Sequence, residues 1–194
     1  MVSRRDEIIE AAIRLAESGE SRRTPLSVRA VAKEAGIGAS TLRHYFPTQA
    51  DLYIEVARRS MQMQISDFRI DDASIPPRER LYEVLSQFLT THEHRDAQLE
   101  LWLAMHFNAL GPNPREGSQA LLEYAHEITY DCLHRWLGVL ADEGHLDPAG
   151  VGRAATILFT AIDGMGLHSI ISPDRMTVDE MHANIKWLID RILA

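Results

Sequence analysis

The sequence holds a single cysteine, Cys132, in 194 residues. No intrachain disulfide is therefore available, and a reducing compartment is expected. Aromatic residues make up only 7% of the chain. The first ten residues, MVSRRDEIIE, contain no apolar stretch of the secretory type. No apolar run was expected to approach the roughly 20 residues that span a bilayer, so no membrane partner and a cytoplasmic location are expected. A glycine-rich phosphate loop and a Gly-x-Ser-x-Gly elbow are both missing, which removes the simplest nucleotide-binding and serine-hydrolase readings. Internal repeats and low-complexity segments are absent as well.

What is present is apolar periodicity of helical type, with 45% hydrophobic residues, enough for a sizeable core. The net charge of −8 is unevenly divided. Residues 1–50 carry eight Lys/Arg against six Asp/Glu, a balance of +2, and residues 51–194 carry twelve against twenty-two, a balance of −10. A basic end on an acidic body would orient the molecule toward a polyanion.

The basic end contains the most informative stretch, residues 26–52. Val28, Val31, Ala32 and Ala35 recur at the spacing of one helical face. Ser27 stands where an N-cap belongs, and Leu26 can staple to Val31 across it. Gly36 suits the positive φ of a helix C-terminus. A second helix is predicted from about Ala39 to Phe46, with Leu42 and Phe46 inward and Ser40, Thr41, Arg43 and His44 outward. Tyr45 falls at the edge. A short helix presenting hydroxyls, a guanidinium and an imidazole has the format of a major-groove reader.

This stretch resembles the helix-turn-helix of the TetR family of bacterial transcription regulators. The matching residues are Leu26, Val28, Val31, Ala32, Ala35-Gly36-Ile37, Thr41-Leu42, His44-Tyr45-Phe46-Pro47 and Asp51-Leu52. The resemblance implies an all-α fold of about nine helices. Residues 1–47 would form the DNA-binding domain and 48–194 a helical ligand-binding and dimerisation domain, with a fourth helix linking the halves. It further implies a homodimer that binds a palindromic duplex and responds to a small molecule, read here as a repressor. Two departures stand out: Ala39 and Gln49 occupy positions where many members carry lysine, and Arg43 replaces a common tyrosine.

The expected DNA-contacting set is Ser27, Arg29, Lys33, Gly38, Ala39, Ser40, Thr41, Arg43, His44, Tyr45, Thr48 and Gln49. Arg43 is best suited to guanine O6 and N7, and the hydroxyls and the backbone after Pro47 suit phosphate oxygens. Arg4 and Arg5 lie at the start of the first helix, where family members often meet phosphate, and Arg22 and Arg23 lie in the loop before Pro25.

In the body, helices are predicted from about Gln49 to Arg69, Pro77 to His94, Arg95 to Leu110, Glu116 to Glu143, Ala149 to Ile171 and Val178 to Leu193. Leu99, Trp102, Leu103, His106 and Phe107 are expected inward on the third of these. A ligand cavity is expected among Met63, Phe68, Phe88, Trp102, Met105, His106, Tyr124 and Ile128. The acidic body makes a cationic lipophilic effector chemically suitable. A dimer interface is expected at Ala154, Ile157, Ala161, Gly164, Ile185, Trp187, Leu188 and Ile192. The enzyme alternative, an all-helical metal-dependent enzyme or carrier, rests on Glu123-x-x-His126, one copy of a motif that di-iron bundles use in pairs. No metal, cofactor or catalytic residue is expected.

Overall fold

The computed structural model describes residues 3–17, 27–114 and 116–193. The expected Leu26 staple, Arg22, Arg23 and Pro25 lie outside them. Nine α-helices and one 3-10 turn, with no strand, account for the regular structure among the described residues. They fall into two compact units. One comprises Met1–Gln64 with Asn108–Ala125, the other Ile65–Phe107 with His126–Ala194.

The first unit begins with α1 (Arg4–Glu17). Ser3 and Asp6 cap it reciprocally, the Asp6 N–H donating to Ser3 Oγ and the Ser3 N–H to Asp6 Oδ2, both at 3.2 Å. α1 packs on α2 (Val28–Glu34) and on α4 (Gln49–Gln64), and α2 packs on α3 (Ala39–Tyr45). Ile8, Val31, Leu42, Phe46 and Leu52 are buried at the centre. Burying each of these large side chains contributes about 1.5–3 kcal/mol. The same unit takes in Asn108–Ala125, which includes the Gly111-Pro112-Asn113-Pro114 break. There Gly117 adopts φ +77°, which strains any other residue, and a Cβ at this position would stand 2.5 Å from Ile54 Cδ1 and displace that side chain.

α4 stops at Gln64, five residues short of the predicted end at Arg69. Polar side chains of the second unit account for this. Gln87 accepts from the Ser66 N–H (2.9 Å) and donates to the Ser66 carbonyl (3.0 Å). Asp67 pairs with Arg135 and accepts from the Trp136 indole at 2.7 Å. These bonds outcompete continuation of the helix, and Phe68 is left at φ +43°.

The second unit contains α5 (Pro77–Ser86), α6 (Arg95–Leu110), α7 (Ser118–Asp142), a 3-10 turn (Pro148–Gly150), α8 (Val151–Ile171) and α9 (Val178–Ile192); α6 and α7 also extend into the first unit. α5 is eight residues shorter than predicted. Its last turn is closed by Gln87, whose amide also donates to the Val84 carbonyl at 2.7 Å. α9 packs on α5 and α8. Trp136 is fully buried at the heart of the unit, with Leu81, Leu133, Leu137, Leu140, Leu158 and Ile185. The buried Arg80 donates to the Ile70 carbonyl and pairs with Glu143 through both terminal nitrogens.

Two expectations are corrected here. Leu103 and Phe107 face solvent, because α6 is apolar all round and periodicity could not choose its inner side. The segment Pro148–Ile171, with an 18-residue stretch of mean hydropathy 1.4, is long and apolar enough to cross a membrane by length and composition. Its apolar side, from Val151 through Ala155, Leu158 and Ile162 to Met165, is buried within the unit, as in a core helix.

Candidate functional site

The exposed face of α2 and α3 is assembled from ordinary local rules. Ser27 caps α2, with the Ala30 N–H donating to its Oγ at 3.1 Å. α2 ends in a Schellman turn. The Ile37 N–H donates to the Ala32 carbonyl (2.9 Å) and the Gly36 N–H to that of Lys33 (3.1 Å), with Gly36 at φ +65°. This turn buries Val31 and Ala32 below and aims α3 outward. Leu42 and Phe46 anchor α3 from beneath. Thr48 opens α4 with a reciprocal cap: the Asp51 N–H donates to Thr48 Oγ1 (3.1 Å) and the Thr48 N–H to Asp51 Oδ2 (2.9 Å).

Of the twelve expected DNA-contacting residues, Ser27, Arg29, Lys33, Gly38, Ala39, Ser40, Thr41, Arg43, His44, Thr48 and Gln49 are exposed, and Tyr45 is half-buried against the His44 ring. Among the described residues, Arg29, Lys33 and Arg43 have no carboxylate at ion-pair distance. Arg4, Arg5 and Arg14 are engaged by Glu7, Glu55 and Glu34. Arg4 and Arg5 are therefore not free cations. Unpaired positive charge stands on α2 and α3, and Arg58 and Arg59 of α4 likewise have no carboxylate at ion-pair distance among the described residues.

The expected ligand residues fall in both units, Met63 and Tyr124 in the first and the other six in the second. Met63 is 69% and Phe68 50% exposed, Met63 on the last turn of α4 and Phe68 in the irregular segment beyond it. Tyr124 lies in the first unit under the Arg58 guanidinium, 4.9 Å from its ring centre. Phe88 packs on Trp136, Met105 is half-buried, and Ile128 lies against the core. Trp102 and His106 do meet, with ring centres 4.1 Å apart. They belong to a cluster whose other members the sequence did not suggest. His106 lies 6.0 Å from the His126 ring, and His126 lies 4.9 Å from Phe159. One turn along α8 from Phe159, Asp163 is half-buried, and burial pushes its carboxyl above the ordinary range. The two imidazoles and the Trp102 indole N–H act in the opposite direction. His126 had been noted only as part of Glu123-x-x-His126. Among the described residues no group of three or more His, Cys, Asp or Glu could hold a metal ion.

Comparison with known families decides the class. Residues 8–56 match the family model described as "Bacterial regulatory proteins, tetR family", and residues 77–194 match "BetI-type transcriptional repressor, C-terminal". The chain belongs to the TetR family. This TetR-family chain is 28% identical over 171 residues to the HTH-type transcriptional regulator PksA of Bacillus subtilis, covering 86% of this chain and 79% of that one. Among solved structures it is similar to a TetR-family regulator from Rhodococcus (TM-score 0.59, 16% identity, 98% of both chains covered). It is also similar to a regulator from Saccharomonospora viridis solved with choline (TM-score 0.55, 22% identity, 96% of this chain and 95% of that). The TetR-family fold is thus confirmed, and the chain is a DNA-binding transcriptional regulator of that family.

For a TetR-family body, the outer faces of α8 and α9 remain. Ile157, Ala161 and Gly164 follow one outward stripe of α8 that ends at the exposed Ile171. On α9, Trp187 is 57% exposed under the Arg191 guanidinium, and Leu188 and Ile192 are half-buried. Ala154 and Ile185, expected at an interface, are instead in the protomer core, because they point to the side where α8 and α9 pack within the unit.

Proposed function

We propose that the protein is a cytoplasmic homodimeric repressor, not an enzyme, that binds a palindromic operator and leaves it when a small lipophilic effector enters the body. Residues 1–47 make the DNA contacts; residues 48–194 hold the effector and the partner protomer. The observation that carries this reading is the free guanidinium of Arg43 on the exposed face of α3, flanked by Ser40, Thr41 and His44 over a buried Leu42. Arg43 reads guanine. Arg29, Lys33, Ser27, Tyr45, Thr48 and Gln49 position the helix on phosphates, and Gly38 and Ala39 admit close approach.

Two copies joined through Ile157, Ala161, Gly164, Trp187, Leu188 and Ile192 would place two such helices about 34–36 Å apart, one turn of duplex. The effector acts by binding one arrangement better than the other, transmitted through α4. A switch from 1:99 to 99:1 needs about 5.5 kcal/mol of differential affinity. The balance of −10 on residues 51–194 suits a cationic effector. The similar Saccharomonospora viridis regulator was solved in complex with choline, an organic cation.

Selection of duplexes from a random pool by the purified protein tests the reading. The expected product is an inverted repeat with half-sites one helical turn apart, and affinity that falls steeply with salt. Recovery of unselected sequence, or of a single half-site, contradicts it.

A further inference from the structure

We propose that Arg5 is a positioning residue for base reading: paired with Glu55, it fixes the C-terminal end of α3 and makes no phosphate contact of its own. This role rests on the operator reading above and adds a residue of α1 to it. Arg5, Phe46 and Glu55 all belong to the first unit.

Three observations carry it. The first is how α3 is held. It is seven residues long, and among the helices of the unit α2 alone packs closely along it. A helix this short has little stability of its own, so its direction depends on what grips its two ends. The N-terminal end follows the Schellman turn at Gly36. The other end is Phe46, its C-cap, which is buried and whose N–H donates to the Leu42 carbonyl at 2.9 Å. The second observation is that Arg5 covers this end. Its guanidinium lies 5.2 Å from the centre of the Phe46 ring. Its two terminal nitrogens stand 3.0 and 2.9 Å from the two Glu55 oxygens. A planar fork held at both tips keeps its orientation, which a single ammonium would not. One rigid group thus refers the end of α3 to α1 and α4 together. The third observation is charge. The Arg5 side chain remains 45% exposed, so a count of cations would assign it to phosphate. As a pair with Glu55 it is neutral, and a neutral pair displaces no counterion from a duplex.

The test compares full-length wild type, Glu55→Gln and Arg5→Met on the duplex selected from a random pool and on an unrelated duplex of equal length, over a range of salt. Denaturant unfolding of each variant gives the folded fraction to which its affinities are referred. The two substitutions change the charge of the first unit in opposite directions. Both should nevertheless lower affinity for the selected duplex about fivefold or more, the low end of the cost of one misread base pair. Affinity for the unrelated duplex should stay within about twofold at physiological salt, where a charge change away from the phosphates is screened. The salt slope of Arg5→Met should match that of wild type. Three results overturn the proposal. One is Glu55→Gln binding the selected duplex as tightly as wild type or tighter, the outcome expected if removing an acid frees Arg5 for phosphate. Another is an Arg5→Met salt slope reduced by about one per protomer. The third is an unchanged ratio of selected to unrelated affinity in both variants, as a loss of stability alone would give. A wild type that selects a duplex while the variants keep its ratio removes the role of Arg5 and leaves the operator reading standing. A wild type that selects no duplex removes both.

Discussion

Arg5 on α1 grips both carboxylate oxygens of Glu55 on α4, with Nη1 3.0 Å from Oε1 and Nη2 2.9 Å from Oε2. The same guanidinium lies 5.2 Å from the centre of the Phe46 ring, at the end of the recognition helix. One side chain therefore ties together α1, α4 and the C-terminus of α3. The pair holds the Glu55 carboxyl below the ordinary glutamate range, chiefly through the hydrogen bond from Arg5. A lowered folded pKa means the unfolded chain binds the proton more readily. The stabilisation is then fully present above the unfolded value of about 4.3 and is lost as pH falls through the folded value. Glu55→Gln should lower stability at pH 7 by about 0.5–1 kcal/mol, discounted for partial exposure. The deficit should shrink as the medium is acidified below pH 4. Thermal unfolding across that range measures both.

Gly36 closes α2 at φ +65°, with open space where a Cβ would stand. Strain rather than collision sets the cost of Gly36→Ala, about 1–2 kcal/mol. Denaturant unfolding should show that loss. Operator affinity should fall beyond what the unfolded fraction explains, because the Schellman turn sets the angle at which α3 leaves α2.

These two cases mark what could be read in the sequence. The turn at Gly36, the Ser27 and Thr48 caps and the inward Leu42 follow from short-range chemistry that periodicity and residue type encode, so the local geometry of α2 and α3 was legible in the sequence. The end of α4 was not, because Gln87 and Asp67 act there through partners 21 and 69 positions away. Nor was the inner side of α6, apolar all round. Trp102 and His106 stand out by residue type, but nothing near Asp163 in the sequence marks it as half-buried. Ala154 and Ile185 were misplaced for the same reason: in helices with two apolar stripes, only packing tells the protomer core from the outer face.

Arg80 is 1% exposed; its terminal nitrogens donate to the Ile70 carbonyl and to Glu143, while its Nε is buried without a partner. Arg80→Met would orphan a carbonyl and a carboxylate at once, costing about 3 kcal/mol. Arg80→Lys should recover little, since a single ammonium cannot reproduce the forked contact. Equilibrium unfolding of the two variants checks the ranking.

Trp187 on α9 and Ile157 on α8 are large apolar side chains left in water. If they anchor two protomers together, Trp187→Glu combined with Ile157→Glu should convert a micromolar dimer into a monomer in sedimentation. Helix content should be retained, since neither side chain supports the protomer core. A dimer that survives both changes places its interface elsewhere.

The central claim is that the guanidinium of Arg43 meets a base edge. The most direct measurement compares the sequence preference of wild type and Arg43→Ala, base by base, on the selected duplex at fixed salt. Preference should relax at one symmetric pair of positions by about 1–3 kcal/mol and hold at the others. Lys33→Ala, a phosphate contact, should weaken all sequences alike and reduce the salt slope by about one. An Arg43→Ala profile that parallels wild type at every position would contradict the account.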